Sequence, residues 1–283
     1  MFYVIALGVV LCVAAFVALD YVSFLNEKKR QAAAIAELES LGFGDVFPDV
    51  NVHDCHQLCD DETQQRTAAA AGTDELDFTY GEMDLLSLAK LVFSLDECSA
   101  VKLPPRPRLV DLGSGNGRMV VALAMMRPWS RCTGVELLPK LHASAIQALA
   151  TFERDVRPRL PEERREVEVA VRCEDMLKTD LSREDVVIAL STAFSTATMA
   201  KLFAHAERSM RPGAILVVAD QLGCPPRFQC VMEIKYRSEQ GARGDASWGT
   251  GTLGILVRRS SGAAAPLAAA GPGSGRGSSK KKR

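Results

Sequence analysis

In LVDLGSGNGR (109–118), Asp111 is followed by glycines at every second position: Gly113, Gly115 and Gly117. A glycine turn between a strand and a helix lets backbone approach a nucleotide-like ligand closely. The dinucleotide fingerprint would set its third glycine at position 118, which is Arg118 here. Asp111 would also repel a phosphate at that turn, so the acid suits a cationic ligand without one. Glu136, at the end of the next strand, is placed to accept from two ribose hydroxyls. That acid alone fits a nicotinamide dinucleotide equally well. A third acidic position is Glu174-Asp175-Met176, where the acid can take an adenine amino group and Met176 can cover the ring. Acids at successive carboxyl ends of parallel strands line one crevice. Together they point to S-adenosyl-L-methionine as the cofactor, with Ser114 among the turn residues that meet it.

The elements that must position these residues are legible as alternating patterns. RLVDLG (108–113), RCTGVEL (131–137), VEVAVRC (167–173), VVIALS (186–191) and AILVVAD (214–220) read as strands. Helices are expected over 83–95, 117–126, 139–155 and 196–210, with a charged loop at 157–165. Strands alternating with helices imply a parallel sheet of crossover units. FQCVMEIKYRSE (228–239) and GTLGILVRR (251–259) have no helix between them and read as an antiparallel pair that finishes the sheet. The expected fold class is α/β, a Rossmann-like, seven-stranded, mostly parallel sheet with helices on both faces.

Composition bounds the function classes. With a formal net charge of −1, the chain has no global bias toward nucleic acid. Locally, residues 43–77 hold nine acids against one Arg, net −8, and residues 260–283 hold five basic residues and no acid, net +5. This asymmetry marks a linker and a tail around a neutral domain. The eight cysteines are scattered and read as reduced thiols, with Cys173 and Cys230 expected to be buried in strands. HDCHQLC (53–59) crowds its His and Cys too tightly to close a tetrahedral metal site and reads as linker, so no metal is expected. Met1 to Leu19 carries no charged side chain, whereas Lys28, Lys29 and Arg30 follow it. That pattern predicts a transmembrane anchor over 1–22 with the rest of the chain facing the cytosol. The domains then expected are the anchor, a helix and acidic linker (23–73), an ordered domain (74–259) and a disordered basic tail (260–283).

The ordered motifs resemble class I methyltransferases and, more narrowly, the disruptor-of-telomeric-silencing family of non-SET histone-lysine methyltransferases. FTYGEMDLL (78–86) is similar to that family's YGE loop, VDLGSGNGRMVV (110–121) to its glycine turn and GVEL (134–137) to its GVE strand. EDM (174–176), STAF (191–194) and SWG (247–249) stand where the family has its GDF, NNFAF and SW segments. The resemblance implies that Tyr80 and Glu82 cap the cofactor, Glu82 near its α-amino group. It also implies that Tyr80, Ser191, Phe194 and Trp248 form the catalytic surround, with Phe194 and Trp248 lining a lysine channel.

The implied partner is a lysine-bearing protein, histone H3 in nucleosomes among them. KKKR at the C-terminus suits DNA phosphates, an anionic membrane surface or a dilysine retrieval signal. The expected location is a membrane, with the nucleus as the alternative. The competing functions are methylation of a non-histone protein or small molecule at a membrane, and a catalytically silent cofactor-binding module. A dehydrogenase ranks last.

Overall fold

The computed structural model describes residues 2–47, 83–190, 194–219, 224–237 and 250–260. A long helix α1 (Phe2–Ser40) and a one-turn helix α2 (Phe43–Val46) precede helix α3 (Leu85–Glu97). The alternating part follows as β1 (Arg108–Leu112), α4 (Arg118–Met126), β2 (Arg131–Glu136), α5 (Pro139–Thr151), the short α6 (Glu162–Arg165), β3 (Glu168–Cys173), β4 (Val186–Ala189), α7 (Thr196–Ser209) and β5 (Ile215–Ala219). Two longer strands, β6 (Phe228–Arg237) and β7 (Thr250–Arg258), close the described chain.

The seven strands form one mixed sheet in the order β3-β2-β1-β4-β5-β7-β6. β1 to β5 pair in parallel, and β7 runs antiparallel to both β5 and β6. The central strands are buried on both faces, which is why VVIA in β4 and ILVVA in β5 are uninterrupted apolar runs. One face packs Leu109, Ile188 and Val217 against Leu91 of α3 and Val120 of α4. The other packs Val110, Val187 and Leu216 against Leu202 and Ala206 of α7. The chain order reverses beside β1, so the crevice lies at the carboxyl ends of β1, β2 and β4.

The expected transmembrane helix over 1–22 is corrected by the structure. Among the described residues no helix is long and apolar enough to cross a membrane. Instead of an anchor followed by a separate helix, α1 runs unbroken from Phe2 to Ser40. From Phe16 onward it carries Asp20, Glu27, Lys28, Lys29 and Arg30. Its last turns belong to the globular core: Leu38 is 1% exposed and shares a cluster with Phe43, Val46 and Leu91. Glu37 pairs with Arg164 of α6, and Arg30 pairs with Glu97 at the end of α3.

Smaller differences have similar causes. The charged stretch after α5 is structured rather than a loop, because Phe152, Val156 and Leu160 are buried and wind it into a π turn (Phe152–Val156) and a 3-10 turn (Arg157–Arg159). Cys173 is exposed, since β3 is an edge strand, and Cys230 on the opposite edge strand is half-buried. The segment HDCHQLC (53–59), the rest of the acidic linker from 48 to 73, the first residues expected in the ordered domain (74–82) and the basic tail from 261 lie outside the described residues.

Candidate active site

β1 ends at Leu112, and the chain reverses through Gly113 (φ 83°), Gly115 (φ 56°) and Gly117 (φ 81°) before α4 begins at Arg118. All three positive φ values lie where a side chain is strained, so glycine recurs at every second position. The turn is tied to the neighbouring strand. The Val135 carbonyl accepts from the amides of Gly113 (2.8 Å) and Ser114 (3.0 Å), and the Ser114 carbonyl from the amide of Gly117 (2.9 Å). Glu136 completes the tie: its Oε2 accepts from the Gly115 amide and its Oε1 from the Leu138 amide, both at 2.8 Å. A phosphate-cradling turn presents unpaired amides to the ligand. Here four of the turn's amides are already engaged.

Two carboxylates therefore dominate the site. Asp111 is 1% exposed, and neither of its oxygens has a hydrogen-bond partner among the described residues. Burial, reinforced by the charge of Glu136, pushes its carboxyl well above the ordinary range. Glu136, 8% exposed, is also raised by burial, against the opposing hydrogen bonds from the backbone of Leu138, Gly115 and Leu137. A buried carboxylate with unused acceptor oxygens calls for a cation or a hydrogen-bond donor. The residues fit a cationic, phosphate-free nucleoside such as S-adenosyl-L-methionine.

Asp175 lies just past β3, whose end is joined to β2 by the Glu174 amide donating to the Glu136 carbonyl (3.0 Å). Its Oδ1 accepts from the Leu177 amide at 2.9 Å and its Oδ2 lies 3.2 Å from the Lys178 ammonium, so this acid also shapes its own turn. Met176 packs against the α7-side core. Phe194 follows β4, and its Cζ lies 3.6 Å from where a Cβ on Gly113 would stand, which puts the ring over the glycine turn. Its neighbour Ser195 caps α7 by accepting from the Thr198 amide at 3.2 Å. Phe194 before that cap and Met199 in the first turn both pack on the second core, the positions of a hydrophobic staple that fixes how the chain enters α7.

Asp111, Gly113, Ser114, Gly115, Gly117, Glu136, Asp175, Met176 and Phe194 thus lie at the carboxyl end of the parallel strands. Tyr80, Glu82, Ser191 and Trp248 lie outside the described residues. The described residues nearest to Tyr80, Glu82 and Trp248 in the chain converge: the Asp84 amide donates to the Arg237 carbonyl (3.0 Å), the Arg237 amide to Ser87 Oγ (2.9 Å), and Arg237 pairs with Thr250.

Two contributors escape the sequence reading. Gly134 faces the turn from β2, and a Cβ there would meet Ser114 Oγ at 2.6 Å and Ser114 Cβ at 2.9 Å. The only sign of it in the sequence is a glycine inside a strand, which marks a close backbone approach. Asn116 is fully buried, and its Oδ1 accepts from the Arg118 amide at 3.0 Å, holding the first turn of α4. Asn next to a helix start is its sequence signal. Among the described residues no group of three or more His, Cys, Asp or Glu is placed to hold a metal ion.

Comparison with known proteins agrees with this geometry. The methyltransferase domain family matches residues 110–218, from the middle of β1 to β5. No curated protein matches the chain significantly. Similar solved structures include an RNA methyltransferase from Salinibacter ruber in complex with S-adenosyl-L-homocysteine (21% identity, TM-score 0.42), with 61% of this chain and 92% of that one covered. The rRNA methyltransferase AviRa from Streptomyces viridochromogenes is 15% identical (TM-score 0.44), covering 63% and 86%. The N-methyltransferase NodS from Bradyrhizobium japonicum is 14% identical (TM-score 0.41), covering 61% and 94%. At such values the likenesses carry no argument about acceptors. The family match, together with the glycine turn and its buried acids, makes residues 110–218 a class I, S-adenosyl-L-methionine-dependent methyltransferase domain.

Proposed function

We propose that the domain methylates the side-chain amine of a lysine in a protein acceptor. The observation that carries this reading is Phe194, an aromatic ring set over Gly113 at the crevice. It is supported by the order of the YGE, glycine-turn, GVE, EDM and STAF motifs along the sequence.

The donor supplies a methyl group activated by a sulfonium. The chain's own residues orient it and exclude water. Asp111 offers two unpaired oxygens to positive charge, Glu136 and Asp175 add acceptors for hydroxyl and amino groups, and Met176 offers an apolar surface for the base. The acceptor must arrive uncharged, although a free lysine has a pKa of about 10.4. An apolar, aromatic entrance favours the neutral amine by desolvation. Alignment of nitrogen, carbon and sulfur is then the main remaining requirement. No side chain is required as a general base, because the proton leaves to solvent before the amine docks.

The test is incubation of the full chain with methyl-labelled S-adenosyl-L-methionine and, in parallel, nucleosomes, free histones, total RNA and a small-molecule extract. Label in lysine of a protein fraction is the expected result. Label confined to RNA or small molecules, or cofactor binding without transfer to any fraction, overturns the lysine reading while leaving the cofactor assignment standing.

A further inference from the structure

A cleft of about 500 Å³ opens at the end of the sheet opposite the glycine turn, lined by Ala204, Glu207, Arg208, Arg227 and Arg258. The sheet register fixes the location. The Gly213 amide, just before β5, donates to the Arg258 carbonyl, and the Arg259 amide to the Arg227 carbonyl. The cleft thus sits at the amino ends of the parallel strands. The length of β5, roughly 16 Å at a strand rise of 3.3 Å per residue, separates it from the cofactor crevice.

Its floor is a cation that forms no ion pair among the described residues. Arg258 is 6% exposed and its guanidinium hydrogen-bonds to carbonyls alone: Nη1 donates to Arg259 O (2.8 Å) and Arg227 O (3.3 Å), and Nη2 to Glu207 O (2.9 Å). Its Nε has no partner among the described residues. Arg208 and Arg227 stand exposed at the mouth, and among the described residues neither forms an ion pair. The one acid in the lining, Glu207, is held by the Arg227 amide, which donates to its Oε1 at 3.1 Å. A buried charge lacking an opposite charge is costly, and an anion relieves the cost.

We infer that this cleft binds a phosphate monoester group, free or carried on a small molecule, at a site separate from the methyl-transfer crevice. Three guanidiniums against one carboxylate leave a net charge of +2. A phosphate monoester brings about −1.5 to −2 near neutral pH, whereas a lone carboxylate or a phosphodiester brings only one negative charge. Guanidinium forks also match phosphate oxygens in geometry. The inference does not depend on which acceptor the methyltransferase uses.

Calorimetric titration of the full chain with orthophosphate and with ribose 5-phosphate, at ionic strength matched by chloride, tests it. Both ligands bind if the cleft is a phosphate site, and tighter binding of the ester identifies a phosphorylated metabolite as the preferred source. The double variant R208A/R227A lowers affinity at least ~10-fold, the effect of removing charge-assisted hydrogen bonds. E207Q raises affinity. Both variants keep wild-type melting temperature and wild-type binding of S-adenosyl-L-homocysteine, which separates loss of the site from loss of fold. No heat with either ligand up to ~10 mM, or an R208A/R227A titration that overlays wild type, overturns the inference; millimolar ligand is near the weak limit of specific binding.

Discussion

At the scale of single residues, Asp111 is a buried acid with both oxygens unpartnered among the described residues. Burial shifts its carboxyl toward the protonated form relative to the unfolded chain. The group's folded pKa is raised, so its contribution to stability is present in acid and is lost as pH rises through the folded value. Asp111→Asn is expected to stabilise the unliganded fold near neutral pH, because the amide does not ionise and the cost of a buried carboxylate disappears. The gain should shrink on acidification, and the same variant should bind S-adenosyl-L-methionine more weakly. Melting curves and titrations across pH check both halves; a variant less stable than wild type at pH 7 refutes the account. Gly134 makes the complementary case. Gly134→Ala drives a Cβ into Ser114, and overpacking of that kind costs about 1–3 kcal/mol. It should also weaken cofactor binding, with Ser114→Gly restoring part of both.

The two residues were not equally legible. The glycine turn and Asp111 can be read directly because their demands are local: a positive φ asks for glycine, and an acid before the turn announces its charge. Gly134 is meaningful only once Ser114 is known to lie across from it, and nothing in RCTGVEL says so. The absence of partners for Asp111 is likewise a property of packing, since the sequence shows a carboxylate but not its isolation.

Elements were legible where their period is strong and their role local. β1 to β7 and helices α3, α4, α5 and α7 fall within a few residues of the positions expected from alternation and helical spacing. α1 shows the limit. Its opening apolar run reads as an anchor on composition alone, but its function in the fold is set by its far end, where Glu37 meets Arg164 at a sequence separation of 127. No local pattern reports a contact that distant. Arg118, first residue of α4, also lies over the Phe43 ring at 5.7 Å, so the short α2 touches the helix that leaves the glycine turn. Leu38→Ala tests whether α1 is part of the domain: truncating a fully buried leucine costs about 2–5 kcal/mol. A large fall in melting temperature is expected, and an unchanged one shows that α1 does not support the core.

For the whole molecule, the antiparallel return of β7 gives the sheet two distinct working ends, the acidic crevice at one and the arginine cleft at the other. A further consequence concerns the clasp between Asp84 and Arg237. The stretches that bear Tyr80 and Glu82 on one side and Trp248 on the other rejoin the fold at the same few hydrogen bonds. A change to Asp84, Ser87 or Arg237 therefore acts on the footing of both stretches at once.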